Sequence, residues 1–203
     1  MTAKEFILHI QVKLNRLDSS SYQDVRPEEV LFFANNAFKS LVLNLDIGVY
    51  SNIIDKSASL VYLSTLIERE SEAPLTNNKV GLNPEVLKIK DLEVFVEVEG
   101  ETGWQPTREF DNNRTSDREY NPFMRSYPDK PVYRLIDRAI SFDVNNFKCT
   151  KVRYDYLRVP QEIKEIDSLT YPFMEELEDK TVTLILENLE ARRLQTQPAV
   201  SKS

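Results

Sequence analysis

The last third of the chain reads VYRLIDRAISFDV at 132–144, KVRYDYLRVPQEI at 151–163 and DSLTYPFMEELEDKTVTLILENLEARR at 167–193. The first two runs are rich in β-branched and aromatic residues, which favour strands. The third run predicts one long helix, with acidic residues in its first turn and arginines in its last. None of the three runs contains a histidine, a cysteine or a glycine. This arrangement is more typical of a protein that builds assemblies than of an enzyme.

The composition is that of an ordinary globular protein. The chain has 203 residues, of which 41% are apolar and 29% are charged. No apolar run approaches the roughly 20 residues that a membrane helix requires, so we expect no membrane partner. Polar residues interrupt the opening segment MTAKEFILHIQVKLNRL, and we therefore expect no signal sequence and a mature chain that begins near Met1.

Charge and cysteine content narrow the functional classes. A net charge of −7 argues against a protein that coats nucleic acid, because phosphate binding needs clustered lysines and arginines. The same charge suits a surface past which DNA slides without being held. The single cysteine, Cys149, excludes an internal disulfide and fits folding in a reducing cytoplasm. The sequence contains neither GxGxxG nor GxxxxGK[ST], so we expect no nucleotide cofactor.

Residues 1–47 are predicted to form two helices. Thr2 and Glu5 have the spacing of a capping box at the start of the first helix. The apolar faces recur at helical spacing and consist of Ala3, Ile7, Ile10, Leu14 and Leu17 in the first helix and Val30, Ala34, Ala37, Phe38, Leu41 and Leu45 in the second. Phe32 and Phe33 widen the second face. The simpler interpretation is a buried core, and the sharper hypothesis is that part of this surface meets a neighbouring subunit.

Residues 48–165 are predicted to form a small, mainly antiparallel β domain. Segment 59–68 is ambiguous, and its β-branched and aromatic content favours a strand over a helix. Segment 77–85 is typical of a turn. The change of parity between Ile89 and Leu92 predicts a bulge or a bend. Further strands are predicted over 104–110, 132–137, 139–144 and 148–159.

The remaining segments are predicted to be a loop, a helix and a tail. The polar and aromatic segment 111–129 has no period and is predicted to be a long loop. Residues 166–194 hold the C-terminal helix, whose predicted buried face is Val182, Ile185, Leu186 and Leu189. Residues 195–203 are polar and are predicted to be a flexible tail. The fold class is therefore α+β.

Residues with catalytic chemistry are few. His9, the only histidine, is interpreted as a helical surface residue rather than as a base, and Cys149 as a small buried apolar residue. Two such residues cannot supply the four ligands of a usual zinc site, so no metal is expected. Cross-strand packing is favoured over base stacking for the ladder made by Arg153, Tyr154, Tyr156 and Arg158, with a protein interface as the next alternative.

The predicted loop mixes both signs of charge. Asp117 and Glu119 could supply a pair of carboxylates for acid–base chemistry, but they alternate with Arg114, Arg118 and Arg125. Solvated ion pairs, or a charged patch between subunits, are the favoured interpretation.

Several features together resemble a known family. They are the Asn35-Asn36-Ala37 step, the LNPE turn at 82–85, the PVY run at 131–133, and YDYLRVPQEI at 154–163 ahead of a helix with an acidic start. In this arrangement the chain resembles the head-to-tail connector (adaptor) proteins of short-tailed bacteriophages, in particular the ring proteins under the portal of crAss-like phages. The resemblance covers the chain from Thr2 to about Arg193, and the long 111–129 segment departs from it.

The resemblance implies a helical bundle, made by the N-terminal helices and the C-terminal helix, with an inserted β wing. It implies a homo-oligomeric ring, typically of twelve copies, that contacts the portal protein and adjacent tail or ring proteins while genomic DNA passes through its lumen. Such a protein belongs to the neck of the virion, is assembled in the host bacterial cytoplasm, and is not an enzyme. The candidate subunit or portal interface residues are Phe32, Phe33, Arg114, Arg118, Arg125, Arg192, Arg193, Gln195 and Pro198.

Two other classes stay open. A small cytoplasmic hydrolase would use loop carboxylates such as Asp117 and Glu119, and it predicts a concave pocket in a monomer or dimer. A free-standing module that binds a peptide or a sugar predicts an aromatic groove and no ring. Its groove would be formed by Trp104, Tyr120, Phe123 and Tyr127.

Overall fold

The structure, a computed structural model, describes residues 1–17, 25–48, 55–99, 101–110, 125–144 and 146–196. The protein is mixed α+β, which confirms the predicted fold class. The chain divides into two compact units, a helical unit of Met1–Thr65 with Pro160–Ser203 and a β unit of Leu66–Val159.

The described part of the helical unit contains four helices: α1 (Ala3–Leu17), α2 (Pro27–Asp46), α3 (Lys56–Thr65) and α4 (Met174–Thr196). Helix α2 packs against α4 and α3, and α1 packs against α4 and α2. Every residue of the stripe predicted for α2 is buried, and so are Ala3, Ile7, Ile10 and Leu14 of α1. The helical periodicity of the sequence therefore located most of this core, although it omitted the fully buried Phe6, and the side chain of Leu17 is not among the described parts of the structure.

The predicted capping box is present at the start of α1. The Thr2 amide donates a hydrogen bond to Glu5 Oε2 at 2.8 Å, and the Glu5 amide donates to Thr2 Oγ1 at 3.2 Å. These two bonds satisfy amides that no preceding helical turn can reach. The bond from the Thr2 amide also lowers the pKa of the Glu5 carboxyl.

Helix α3 corrects the strand that was favoured over 59–68. Only the end of that segment is extended, because the helix occupies Lys56–Thr65. Asp55 explains the helix start, since its Oδ1 accepts a hydrogen bond from the Ala58 amide at 3.0 Å. Ser59 and Leu63, four residues apart, are the buried face. Packing of that face thus overrides the strand preference of its valine and tyrosine.

Helix α4 also differs in part from its prediction. Val182 and Ile185 are buried as predicted, but Leu186 and Leu189 are only half-buried. The most buried residues of the helix follow one another at steps of four along one side and are Leu177, Thr181 and Ile185. The helix continues through Thr196, so the first two residues of the predicted flexible tail are helical.

The β unit, in the residues described, holds eight strands: β1 (Ile67–Pro74), β2 (Lys79–Gly81), β3 (Val86–Val98), β4 (Glu101–Pro106), β5 (Arg108–Glu109), β6 (Val132–Ile136), β7 (Ala139–Asp143) and β8 (Lys148–Arg158). They form two four-stranded sheets with the orders β1-β8-β3-β4 and β2-β7-β6-β5. Adjacent strands run antiparallel, apart from the parallel pair β5 and β6. Strand β2 lies inside the segment that was predicted to be only a turn.

The two sheets contribute side chains to one shared core. Its members from the first sheet include Val94 and Val152, and those from the second include Ile140 and Phe142. The predicted bulge is confirmed by a register shift between Ile89 and Asp91.

The strand predicted over 104–110 is divided between the two sheets. Thr107 separates β4 from β5, and both its amide and its hydroxyl donate hydrogen bonds to the Leu92 carbonyl, at 3.1 and 2.8 Å. One residue thus satisfies its own donors while the chain passes from the first sheet to the second.

Candidate subunit interface

Three helices of the helical unit present large apolar side chains to solvent. Leu8 of α1 is 58% exposed, Phe32 of α2 is 62% exposed and Val61 of α3 is 67% exposed. Single exposed apolar residues are ordinary on protein surfaces and contiguous patches mark contact surfaces, so these three side chains are candidates for subunit contacts.

Phe32 and Phe33 occupy different environments. Their rings meet edge to face with centroids 5.3 Å apart, but Phe33 is half-buried and Phe32 is exposed. Phe33 lines a shallow depression between α2 and α4 that Arg192 also lines. The structure thus brings the predicted interface residues Phe33 and Arg192 together in one depression. Phe32 lies outside that depression and presents its ring to solvent.

Arg192 already has a partner inside the helical unit. Its Nη2 donates to Glu29 Oε1 at 3.3 Å, and Nη1 donates to the same oxygen at 3.4 Å. Both side chains are partly exposed, so water and salt screen this ion pair and it contributes little to stability. The pair links the first turn of α2 to the last part of α4.

The other predicted interface residues are placed less completely. Arg125 is described and exposed. Arg193 and Gln195 belong to α4, but their side chains are not among the described parts of the structure. Arg114, Arg118 and Pro198 lie outside the described residues. The hypothesis that 111–129 forms a charged interface therefore stays a prediction.

The residues of the two alternative functions are only partly described. Asp117, Glu119, Tyr120 and Phe123 lie outside the described residues. Tyr127 is exposed, whereas Trp104 is half-buried beneath an arginine. The Arg153 guanidinium carbon lies 4.4 Å from the centroid of the Trp104 ring, and Arg153 also pairs with Glu93. Trp104 is therefore covered by a cation–π contact rather than open to a ligand.

The predicted tyrosine and arginine ladder does not share one face. Tyr154 and Tyr156 point into the core of the β unit, whereas Arg153 lies on the opposite face of the same sheet. The Tyr156 hydroxyl donates to Glu68 Oε2 at 3.0 Å, and Arg158 pairs with the other oxygen of Glu68 at 2.9 Å. The two tyrosines therefore pack in the core of the β unit, in agreement with the interpretation that was favoured over base stacking.

Alkaline pH provides a test of this arrangement. Burial, together with the bond to the Glu68 carboxylate, raises the pKa of Tyr156 from 10.0 to about 12. Because the folded state holds the phenol proton more tightly, the stabilisation is complete below pH 10 and is lost as pH rises toward 12. We expect the free energy of unfolding of the parent, measured by urea denaturation, to fall across that pH window. In Tyr156→Phe we expect it to fall less. An equal loss in both would contradict this role.

A cluster of charges joins α1 to α4 and was not predicted. The buried Glu178 carboxylate lies 2.9 Å from Lys13 Nζ and 3.3 Å from His9 Nδ1, and Lys13 also contacts Asp179 at 2.7 Å. Burial alone would lower the pKa of Lys13, but its bonds to Asp179 and Glu178 outweigh that effect and raise it. The only histidine is thus a partner of a structural carboxylate.

Asn35 ties the segment before α4 to α2. Its Oδ1 accepts a hydrogen bond from the Ile163 amide at 2.7 Å, and its Nδ2 donates to the Ile163 carbonyl at 3.2 Å. Ile163 is buried and Asn35 is half-buried, so water has little access to these bonds. This contact was missed because the partners are 128 positions apart; the Asn35-Asn36 pair was the only signal.

Loss of that contact has a defined expected result. Asn35→Ala leaves the buried Ile163 amide without an acceptor and is expected to lower the free energy of unfolding by about 1–3 kcal/mol. Asn36→Ala changes an exposed neighbour of the same type and is expected to stay within about 0.5 kcal/mol of the parent. Urea denaturation followed by circular dichroism measures the free energy of unfolding of both variants. Equal losses in the two would show that the bonds between Asn35 and Ile163 do not stabilise the protein.

The described residues contain no group of three or more histidine, cysteine, aspartate or glutamate side chains that could hold a metal ion. Among them, none of the helices has the length and apolar character needed to cross a membrane. No protein-family model matches this chain, and no curated protein matches it in sequence.

Proposed function

We propose that this protein is a virion structural subunit that forms an oligomeric ring in a bacteriophage head-to-tail connector. The ring lies below the portal, joins it to the tail and lines the channel through which DNA leaves the capsid. Its partners are further copies of the chain, the portal protein and adjacent tail or ring proteins.

The observation that carries this proposal is the apolar exposure of Leu8, Phe32 and Val61 on three different helices. A subunit in a cyclic ring has two neighbours and meets each through a different patch. Apolar residues on several helices suit that requirement better than a single patch would.

The charge of the chain supports the channel role. A net charge of −7 disfavours retention of the DNA backbone, because binding to phosphates depends on clustered lysines and arginines. We expect the purified protein to leave linear double-stranded DNA unshifted in a gel at about 100 mM salt. Retention of DNA under that condition would argue against a passive channel.

Imaging tests the assembly directly. The purified protein is measured by mass photometry and negative-stain electron microscopy, alone and with the portal protein encoded nearest to its gene. We expect ring-shaped particles whose masses are multiples of the 23.6 kDa subunit. A compact monomer under both conditions would overturn the proposal, and a stable dimer with hydrolytic activity would favour the hydrolase instead.

A further inference from the structure

Helix α1 carries an exposed stripe with opposite charges at its two ends. Glu5, Leu8, Val12 and Arg16 follow one another at steps of three, four and four residues, so they share one side of the helix. All four are exposed, and Val12 is 41% exposed. The core-facing residues of α1 lie on another side, so this stripe is left out of the helical core, although Glu5 Oε2 accepts the capping bond from the Thr2 amide.

Helix α2 carries a matching stripe in the reverse direction. Read backwards from its C-terminal half, Lys39, Asn36, Phe32 and Glu28 follow one another at the same steps of three, four and four residues. Lys39 is half-buried and the other three residues are exposed. Both stripes therefore extend over the same length, about 16 Å at the usual rise of an α-helix.

We propose that the α1 stripe of one subunit packs antiparallel on the α2 stripe of a second copy of this chain. Val12 then lies against Phe32, Leu8 lies beside that ring, Arg16 pairs with Glu28, and Glu5 pairs with Lys39. The charges select the direction, because a parallel arrangement would place two acids together at one end and two bases at the other.

The proposed contact joins two different patches, so it repeats from subunit to subunit and closes a ring if the rotation permits. It rests on the proposed function in one respect, namely that the chain self-assembles, and it adds which helices meet and in which direction. The charge complementarity along the two stripes is what identifies a second copy as the partner.

A charge exchange tests the ionic pair. Arg16→Glu and Glu28→Arg are each expected to weaken self-association by about tenfold, because each places like charges opposite one another. The double variant restores the pair with reversed signs and is expected to return to within about threefold of the parent. Glu187→Arg, a reversal at an exposed acid on α4, is the matched control and should leave association unchanged. Mass photometry over a dilution series measures all four.

A cross-linking experiment tests the apolar centre. Val12→Cys and Phe32→Cys are purified separately, mixed and oxidised, and the native Cys149 does not interfere because it is buried. We expect a disulfide-linked dimer in the mixture and none in either variant alone, since a disulfide requires Cα atoms within roughly 7 Å.

The outcomes separate this contact from the proposed function. Cross-linking in the mixture together with rescue by the double variant supports the contact. Rings that form without cross-linking and tolerate both single reversals overturn the contact while the connector proposal stands. A parent protein that stays monomeric at every concentration overturns both.

Discussion

Phe173→Ala is expected to lower the free energy of unfolding of the helical unit by about 3–5 kcal/mol. Phe173 has no exposed surface, and its ring stacks on Tyr171 at a centroid distance of 5.9 Å. It also contacts Tyr62 of α3 at 5.5 Å and Phe38 of α2 at 5.8 Å. Truncation therefore leaves a cavity where the segment before α4 meets two helices.

The measurement is urea denaturation followed by circular dichroism at a helix-sensitive wavelength. Phe32→Ala is the matched control, because it removes the same ring from a mostly exposed position and is expected to change stability by about 0.5 kcal/mol or less in the dilute monomer. A loss for Phe173→Ala no greater than that of the control would show that the aromatic cluster does not stabilise the unit.

Val152→Asp is expected to unfold the β unit, with a loss of about 4 kcal/mol or more. Val152 is fully buried in the core shared by the two sheets, which includes the apolar side chains of Val94, Ile140 and Phe142. A carboxylate there would have to be protonated or hydrated, and either change disrupts the packing of the sheets.

Cys149 reports on this unfolding. Burial raises the pKa of its thiol from 9.0 to about 12, so the parent should react very slowly with a thiol reagent at pH 8. In Val152→Asp we expect labelling at the rate of a free thiol. Lys151→Ala, which changes an exposed ion pair with Glu72 on the opposite face, should remain protected. Slow labelling of Val152→Asp would contradict the prediction.

Periodic patterns account for the parts of the fold that the sequence predicted. The stripe from Val30 to Leu45 marked α2, and the parity change after Ile89 marked the bulge in β3. Both signals are local, because a helix or strand with one buried face shows its period in its own residues. Helix α3 escaped this reasoning, since only Ser59 and Leu63 of its ten residues are buried and a short helix has little period to show.

Long-range contacts account for the parts that the sequence did not predict. The bonds between Asn35 and Ile163 and the cluster around Glu178 join residues far apart in the chain, and polar residues carry no period that pairs them. Of the candidate interface, Phe32 was predicted to widen the buried face of α2, but it is exposed because it lies on the side of the helix opposite the buried stripe. The pairing of Arg192 with Glu29 depends on how α2 and α4 pack, which no local pattern records.

The division of the chain has a consequence for the order in which it folds during synthesis. The β unit is continuous, whereas the helical unit needs residues from both ends of the sequence. Helices α1 and α2 leave the ribosome before the β unit, but the buried face of α2 has to wait for α4, which is made after all eight described strands. Until then the apolar stripe from Val30 to Leu45 is open to chaperones and to other nascent chains. The core of the helical unit is therefore completed only after α4 has been made.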